Sequence, residues 1–124
     1  MCGAVRYEAV GKPLDVGYCH CKSCRHHTGA PVAAYVGCRA DDVSFSGIDR
    51  KIYASSPGVG RAFCGECGTT LTWEGRIQDS DGPVIELHIS TLDDPNGFLP
   101  QEHTRYEERI DWFDVADELP RHSG

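Results

Sequence analysis

A dense group of cysteines and histidines sets the strongest limit on what this chain can fold into. Residues 18–29 read Y-C-H-C-K-S-C-R-H-H-T-G and contain three cysteines and three histidines. The spacing of the last two of these cysteines recurs at Cys64 and Cys67. Cysteines so close together indicate a metal site, a redox pair or a disulfide framework, and each of these implies a different kind of protein.

The number of cysteines and the first residues argue against a disulfide framework. The chain has seven cysteines, an odd count, and its start, M-C-G-A-V-R-Y-E-A, lacks the basic and apolar regions of a secretory signal. We therefore expect a cytoplasmic protein whose thiols stay reduced, in which metal coordination is the commonest reason for clustering. No run of 18 apolar residues is present, so we predict no membrane-spanning helix and no membrane partner.

The charge of the chain argues against a nucleic-acid partner. The formal net charge is -7, and the twelve lysines and arginines are scattered along the sequence. Binding to a phosphate backbone favours a clustered basic face, which this pattern does not predict. The acidic residues between positions 107 and 118 are interpreted as a solvated surface.

Alternating and apolar runs predict a mostly β fold with short, irregular helical pieces. Helix is limited to a single turn after Cys24 and a short helix over 112–119 that ends at Pro120. At 124 residues and without a linker, the chain is predicted to form a single domain, 1–124. Turn signals such as Ser55-Ser56-Pro57-Gly58 separate the predicted strands, which are 4–10, 31–38, 42–47, 51–54, 60–64, 69–73 and 83–90.

The motif C-G-E-C-G at 64–68 is typical of a zinc knuckle. Two intervening residues let a tight turn aim both sulfurs at a metal about 2.3 Å from each of them. The alternative is a thioredoxin-like redox pair, which would need a helix after the motif, whereas T-T-L-T-W favours a strand. A structural zinc needs four ligands, and Cys2 at the start of the first strand is the candidate for a third.

Backbone geometry predicts that the three cysteines of the first motif meet. If residues 18–21 are extended, Cys19 and Cys21 point to one side, and the histidine between them points to the other. A turn then brings the sulfur of Cys24 to the same side. Three protein ligands plus one exchangeable position is the pattern of a catalytic zinc, and three thiolates favour a soft sulfur as the fourth ligand.

The alternative for this first motif is a closed structural site. His26, His27 or a remote residue would then complete the four ligands. The remaining cysteine, Cys38, lies in an apolar run and is interpreted as a small buried hydrophobe. A homo-oligomer also stays open, because the aromatic side chains suit either a dimer surface or the core, namely Trp73, Phe98, Trp112 and Phe113.

Five segments, taken in order, resemble the glutathione-dependent formaldehyde-activating enzyme family, to which centromere protein V also belongs. The resemblance implies a β-tent fold with two zinc sites. It also implies formation of S-hydroxymethylglutathione from glutathione and formaldehyde, a carbon–sulfur lyase activity. The segments are C-G-A-V-R-Y at 2–7, C-H-C-K-S-C-R-H-H-T-G at 19–29, R-A-F-C-G-E-C-G-T-T-L at 61–71, T-L-D-D-P at 91–95 and P-Q-E-H at 100–103.

The resemblance also implies roles for six of the cysteines. The catalytic zinc would bind Cys19, Cys21 and Cys24. The structural zinc would bind Cys2, Cys64 and Cys67. The family has a C-x-C motif on the first strand, and its first cysteine falls just before Met1. The structural site therefore lacks its fourth ligand in this chain. Either the natural N-terminus is longer and carries this cysteine, as we expect, or the chain completes the site with a different ligand.

The expected function is a zinc-dependent carbon–sulfur lyase acting on an adduct of glutathione, or another small thiol, with formaldehyde or a related aldehyde. A neighbouring acid would protonate the developing alkoxide, and His20 and His103 are the candidates. Arg25 is a candidate for binding a peptide carboxylate. The alternatives are a zinc-stabilised interaction module and a thiol redox sensor without catalytic turnover.

Overall fold

Short alternating segments separated by turns form nine strands and one α-helix. The computed structural model describes residues 1–124. Helix α1 spans Lys22–Thr28, and no helix has the length and apolar character needed to cross a membrane. Short 3-10 turns occupy Ala40–Asp42, Ile89–Thr91, Pro95–Gly97 and Tyr106–Glu108. The strands are β1 Val5–Ala9, β2 Asp15–Cys19, β3 Ala33–Arg39, β4 Val43–Gly47, β5 Lys51–Ser56, β6 Val59–Phe63, β7 Thr70–Gly75, β8 Val84–His88 and β9 His103–Thr104.

The strands form one large sheet and one two-stranded ribbon. The large sheet has the order β5-β6-β7-β8-β3-β2-β9, and its neighbours are antiparallel except for the parallel pair β2 and β9. Strands β1 and β4 pair antiparallel and form the ribbon. The mostly β fold with short helical pieces that the sequence predicts is therefore confirmed.

The hydrophobic core lies between the large sheet and the ribbon. Tyr7 of β1 and Phe45 of β4 pack against the apolar face of the sheet. Cys38 belongs to this core, which confirms its interpretation as a small buried hydrophobe. The buried members of the core are Val36, Cys38, Ile85, Leu87 and Ile89.

The opposite face of the large sheet is polar. Successive side chains of a strand point to opposite faces, so the residues between the core positions face away from the ribbon. On this face Gly37 of β3 pairs with Glu86 of β8 on one side and with Asp15 of β2 on the other. Tyr35 pairs with His88 one step further along. We call this side of the sheet the polar face, and the residues with candidate chemical roles lie on it.

All seven predicted strands are present within two residues of their expected bounds. The two-residue β9 is absent from the prediction, and so is the longer β2. The reason for the absence of β2 is Gly17, because glycine inside a strand lowers its β propensity. In the structure this glycine is needed, since a Cβ at position 17 would lie 2.9 Å from the Tyr35 hydroxyl and 3.1 Å from the Glu102 carbonyl oxygen. Three segments of the chain approach one another closely here, so position 17 requires a residue without a side chain.

The predicted helix over 112–119 is wrong. Residues 111–112 form a turn, and the segment that follows has no helical structure. Aspartate carboxylates take up the local backbone amides instead. Oδ1 of Asp114 accepts a hydrogen bond from the Val115 amide at 2.8 Å, and Oδ1 of Asp117 accepts one from the Leu119 amide at 3.0 Å. Such side-chain-to-backbone bonds compete with helix formation.

Truncation of Leu87 should test the position of the core. This side chain is fully buried at the centre of the apolar face. We expect Leu87→Ala to lower the free energy of unfolding by about 2–5 kcal/mol, because it removes buried methyl groups and leaves a cavity. Urea unfolding followed by circular dichroism at a fixed zinc concentration measures the change. The control is Ile52→Ala at an exposed position, which should change the free energy of unfolding by less than about 0.5 kcal/mol. An equal loss of unfolding free energy in the two variants would contradict this description of the core.

Candidate metal centres

Three cysteines meet where β2 ends and α1 begins. Cys19 is the last residue of β2, and Cys21 is the N-cap of α1 with extended backbone angles, φ -65 and ψ 152. The sulfur of Cys21 accepts a hydrogen bond from the Cys24 amide at 3.3 Å. The Sγ atoms of these three residues all lie within 4.8 Å of one another, and no histidine, carboxylate or further cysteine belongs to the group. We call this group the first cysteine triad.

The chemistry of the first cysteine triad suits a thiophilic metal. The neighbouring thiols of Cys19 and Cys24 lower the pKa of Cys21 to about 2, which favours its thiolate form. The neighbouring sulfurs of Cys21 and Cys24, together with burial, raise the pKa of Cys19. Thiolate sulfur is the ligand that zinc and other soft metals prefer, and bound metal would take the place of the shared protons. The triad can therefore hold a metal ion.

The histidine between these cysteines points to the opposite side, as strand alternation predicts. Nε2 of His20 lies 2.8 Å from Nδ1 of His103, and Nε2 of His103 lies 3.0 Å from a carboxylate oxygen of Asp117. Both histidines are fully buried. Because a carboxylate only accepts, His103 donates from Nε2, and a neutral His103 then accepts at Nδ1 from His20. Both nitrogens of His103 are thus occupied by protein groups.

Arg25 holds the same loop from the helix side. Its Nε donates to the backbone oxygen of His20 at 3.3 Å, and its Nη2 donates to that of Glu108 at 3.3 Å. These bonds connect the start of α1 to the C-terminal part of the chain. In the structure Arg25 therefore anchors backbone, and its suggested role in binding a peptide carboxylate stays a prediction.

A second group of sulfurs forms at the turn between β6 and β7. The Sγ atoms of Cys2, Cys64 and Cys67 lie within 4.8 Å of one another, with 3.8 Å between those of Cys2 and Cys64. Gly68 closes the turn with φ +78, and its amide donates to the Cys64 carbonyl oxygen at 2.8 Å. Strand β7 follows at Thr70, as the zinc-knuckle interpretation predicts. This second cysteine triad can also hold a metal ion.

A buried arginine that is not among the predicted site residues lies beside the first cysteine triad. Nη1 of Arg61 donates to the sulfur of Cys24 at 3.6 Å, and its Nε donates to the Ser55 hydroxyl at 3.2 Å. Its side chain is almost completely buried. The available signal was a single arginine in the otherwise uncharged segment G-R-A-F-C that precedes the knuckle. A fixed positive charge here offsets the negative charge of the thiolates.

Two carboxyl groups lie on the polar face near this arginine. Burial, together with the nearby Asp15 carboxylate, raises the pKa of Glu86 to about 8. Burial likewise raises the pKa of Asp15, whose Oδ1 is buried without a hydrogen-bond partner. Gly37 makes room for this carboxylate, since a Cβ there would lie 2.0 Å from Asp15 Oδ1. The polar face thus combines two partly buried acids with the cysteines and Arg61.

The sequence matches a known family and resembles two described proteins. Residues 1–108 match the family model described as glutathione-dependent formaldehyde-activating enzyme. An uncharacterized lyase of Schizosaccharomyces pombe is 35% identical over 71 residues, which are 57% of this chain and 51% of that protein. The chain thus spans about half the length of this curated relative. A crystal structure of a Rhodobacter sphaeroides protein shares the fold, with a TM-score of 0.58, 21% identity and coverage of 97% of this chain and 94% of that one.

Removal of the ionisable group at position 86 should change how stability depends on pH. The pKa of Glu86 is raised from 4.5 to about 8 in the folded protein, so the folded state binds its proton more tightly than the unfolded state does. Its contribution to stability is complete below pH 4.5 and is lost as the pH rises towards about 8. We expect Glu86→Gln to remove this loss.

The measurement is the free energy of unfolding of both proteins in urea between about pH 5 and pH 8.5. The advantage of Glu86→Gln over the wild type should grow across this range by about 1–3 kcal/mol, since one pKa unit corresponds to about 1.4 kcal/mol. The matched control is Glu107→Gln, which changes an exposed glutamate. A pH-independent difference for Glu86→Gln would contradict the assigned burial of this carboxyl group.

Proposed function

Because the chain belongs to the glutathione-dependent formaldehyde-activating enzyme family, we propose that it is a zinc-dependent carbon–sulfur lyase. Its substrate would be the adduct of glutathione, or another small thiol, with formaldehyde or a related aldehyde. The observation that carries this proposal is the convergence of the Cys19, Cys21 and Cys24 sulfurs without a fourth protein ligand. The word lyase in the name of the fission-yeast relative supports the same class of reaction.

The reaction joins or separates a thiol and an aldehyde. In the forward direction the sulfur attacks the carbonyl carbon, the carbon–sulfur bond forms, and the π electrons of the carbonyl group move to its oxygen. The proton that leaves the thiol ends on this oxygen, so that thiol and aldehyde give a hemithioacetal. Zinc bound by the first cysteine triad would lower the pKa of a neighbouring thiol and so supply the thiolate.

The residues around the first cysteine triad fit this chemistry. Arg61 contacts the sulfur of Cys24 and places positive charge where negative charge collects. Extended backbone at Cys21 and the hydrogen-bonded His20 fix the direction of the sulfurs. This rigidity supports a catalytic role, because a preorganised site needs little rearrangement during reaction.

We assign the second cysteine triad a structural role. It ties Cys2, before β1, to the turn that carries Cys64 and Cys67, residues more than 60 positions away in the sequence. A zinc ion held there would stabilise the ribbon against the large sheet. Glutathione keeps cytosolic thiols reduced, so a cytoplasmic location is the one we expect for both the cysteine triads and the substrate.

Cobalt in place of zinc should show whether the first cysteine triad accepts a substrate thiol. We expect glutathione at millimolar concentration to increase the thiolate-to-metal absorption of one of the two bound ions, because a sulfur ligand is added there. Cys21→Ser should abolish this change and remove one of the two ions. The control Cys38→Ala, in the core, should leave both the metal content and the glutathione response unchanged.

An unchanged spectrum across millimolar glutathione would contradict an accessible thiol site at the first cysteine triad. It would favour a zinc-stabilised interaction module instead. Treatment of the zinc-loaded protein with substoichiometric peroxide tests the remaining alternative. Release of zinc and formation of disulfides would favour a thiol redox sensor.

Catalysis itself is measurable by exchange nuclear magnetic resonance with carbon-13 formaldehyde and glutathione. We expect the zinc-loaded protein to accelerate the interconversion of free formaldehyde hydrate and S-hydroxymethylglutathione. Cys21→Ser should return the exchange to the uncatalysed rate, because it removes a ligand of the catalytic metal, whereas Cys38→Ala should retain the acceleration. A folded, zinc-loaded protein that leaves the rate unchanged would overturn the lyase assignment.

A further inference from the structure

Two histidines on the polar side of the sheet keep buried ring nitrogens without partners. The rings of His27 in α1 and His88 at the end of β8 lie 5.5 Å apart between centroids. Nε2 of His27 and both ring nitrogens of His88 are buried and make no hydrogen bond. His88 is more than nine-tenths buried. Buried polar atoms are nearly always hydrogen-bonded, so this pair indicates a group that binds between or beside the rings.

The pair lies next to the first cysteine triad. His27 follows Cys24 by three residues on α1, which places both side chains on neighbouring positions of one helix face. The Thr70 hydroxyl donates to the backbone oxygen of His27 at 2.9 Å and fixes this turn of the helix on the sheet. The positive charge of Arg61, whose guanidinium contacts the Cys24 sulfur, reaches both imidazoles.

The properties of the pair indicate an oxygen ligand rather than a metal ion. The two histidines belong to no group of three potential metal ligands, and the adjacent guanidinium repels cations. Burial and the charge of Arg61 lower the pKa of His27, and burial lowers that of His88 to about 4. Both imidazoles are therefore neutral at physiological pH. A neutral imidazole offers one N–H donor and one acceptor, which together match a hydroxyl group.

We propose that His27, His88 and Arg61 form a subsite that binds the oxygen of the aldehyde, which becomes the hydroxyl oxygen of the hemithioacetal. This inference rests on the proposed lyase function and names the residues that act on the oxygen side of the reaction. The oxygen of a hemithioacetal is two bonds from the sulfur. A substrate whose sulfur binds at the first cysteine triad therefore holds this oxygen close to the triad. A subsite one helical turn from Cys24 is suitably placed to bind the oxygen.

The subsite would stabilise the charge that develops in the reaction. When the carbon–sulfur bond forms, the carbonyl π electrons move to the oxygen, and N–H donors near that oxygen stabilise it. The proton released by the thiol finishes on the same oxygen. In the reverse direction the hydroxyl proton leaves, the carbonyl group re-forms, and the carbon–sulfur bond breaks. The balance needs no oxidant or further reactant.

The test compares His27→Ala with His26→Ala in the zinc-loaded protein. The two positions are adjacent on α1, but the side chain of His26 is exposed. We expect His27→Ala and His88→Gln each to slow formaldehyde–glutathione exchange by about tenfold or more, as loss of a donor to a developing oxyanion does. His26→Ala should stay within about twofold of the wild type. In the cobalt proteins the affinity for glutathione alone should be unchanged by all three substitutions.

A second measurement detects binding without turnover. The imidazole nitrogen-15 resonances of the wild-type protein are recorded with the glutathione–formaldehyde adduct and with S-methylglutathione, which lacks the oxygen. We expect only the adduct to shift the signals of His27 and His88. This measurement uses the wild-type fold and so does not depend on whether a His88 variant folds.

The outcomes separate the two proposals. Accelerated exchange and a cobalt response in the wild type, together with unaffected exchange in His27→Ala and His88→Gln, would overturn the oxygen subsite and leave the lyase function standing. Equal shifts of the two histidines by the adduct and by S-methylglutathione would also overturn it, since the subsite would then bind another part of glutathione. Absence of exchange in the wild type would instead overturn the lyase function on which the subsite rests.

Discussion

The pairing register of β3 with β8 is the constraint on which the other features depend. It places Val36 and Leu87 on the side that packs against the ribbon, and Glu86 and His88 on the polar face. A shift of one residue in either strand would exchange these two sets. Burial of the apolar set therefore holds the polar set in position, and the energy that stabilises the fold also orients the candidate site. Gly37 serves this arrangement by leaving space for a carboxylate above the sheet.

Segments that precede and follow the first cysteine triad in the sequence both hold it in place. Towards the N-terminus, β2 pairs with β3 and ends at Cys19. Towards the C-terminus, His103 bonds to the histidine that lies between the cysteines, and Asp117 in turn bonds to His103. The loop from β2 to α1 thus has little freedom, although neither of its two residues has regular secondary structure. Such fixed ligands favour a defined metal geometry, and Arg61 places a positive charge beside them.

Much of the fold and one part of the site could be predicted from the sequence. Alternating apolar residues revealed most strands, and the spacing of Cys19, Cys21 and Cys24 revealed their convergence, because both signals are local. Arg61 and His88 could not be found in this way, since only the sheet register brings them near α1. Strand β2 was hidden by its glycine, which tertiary contacts require. The helix predicted over 112–119 failed because carboxylates bind the local amides in place of helical carbonyls.

The chain of hydrogen bonds from His20 extends beyond the part of the sequence that matches the family. The match ends at residue 108, whereas Asp117 and Arg121, which donates to its carboxylate at 3.0 Å, follow that boundary. A protein trimmed to the matched region would retain every cysteine yet leave the buried His103 without its carboxylate. The last sixteen residues are therefore part of the architecture of the candidate site, and the unit that holds its loop in place is longer than the matched sequence.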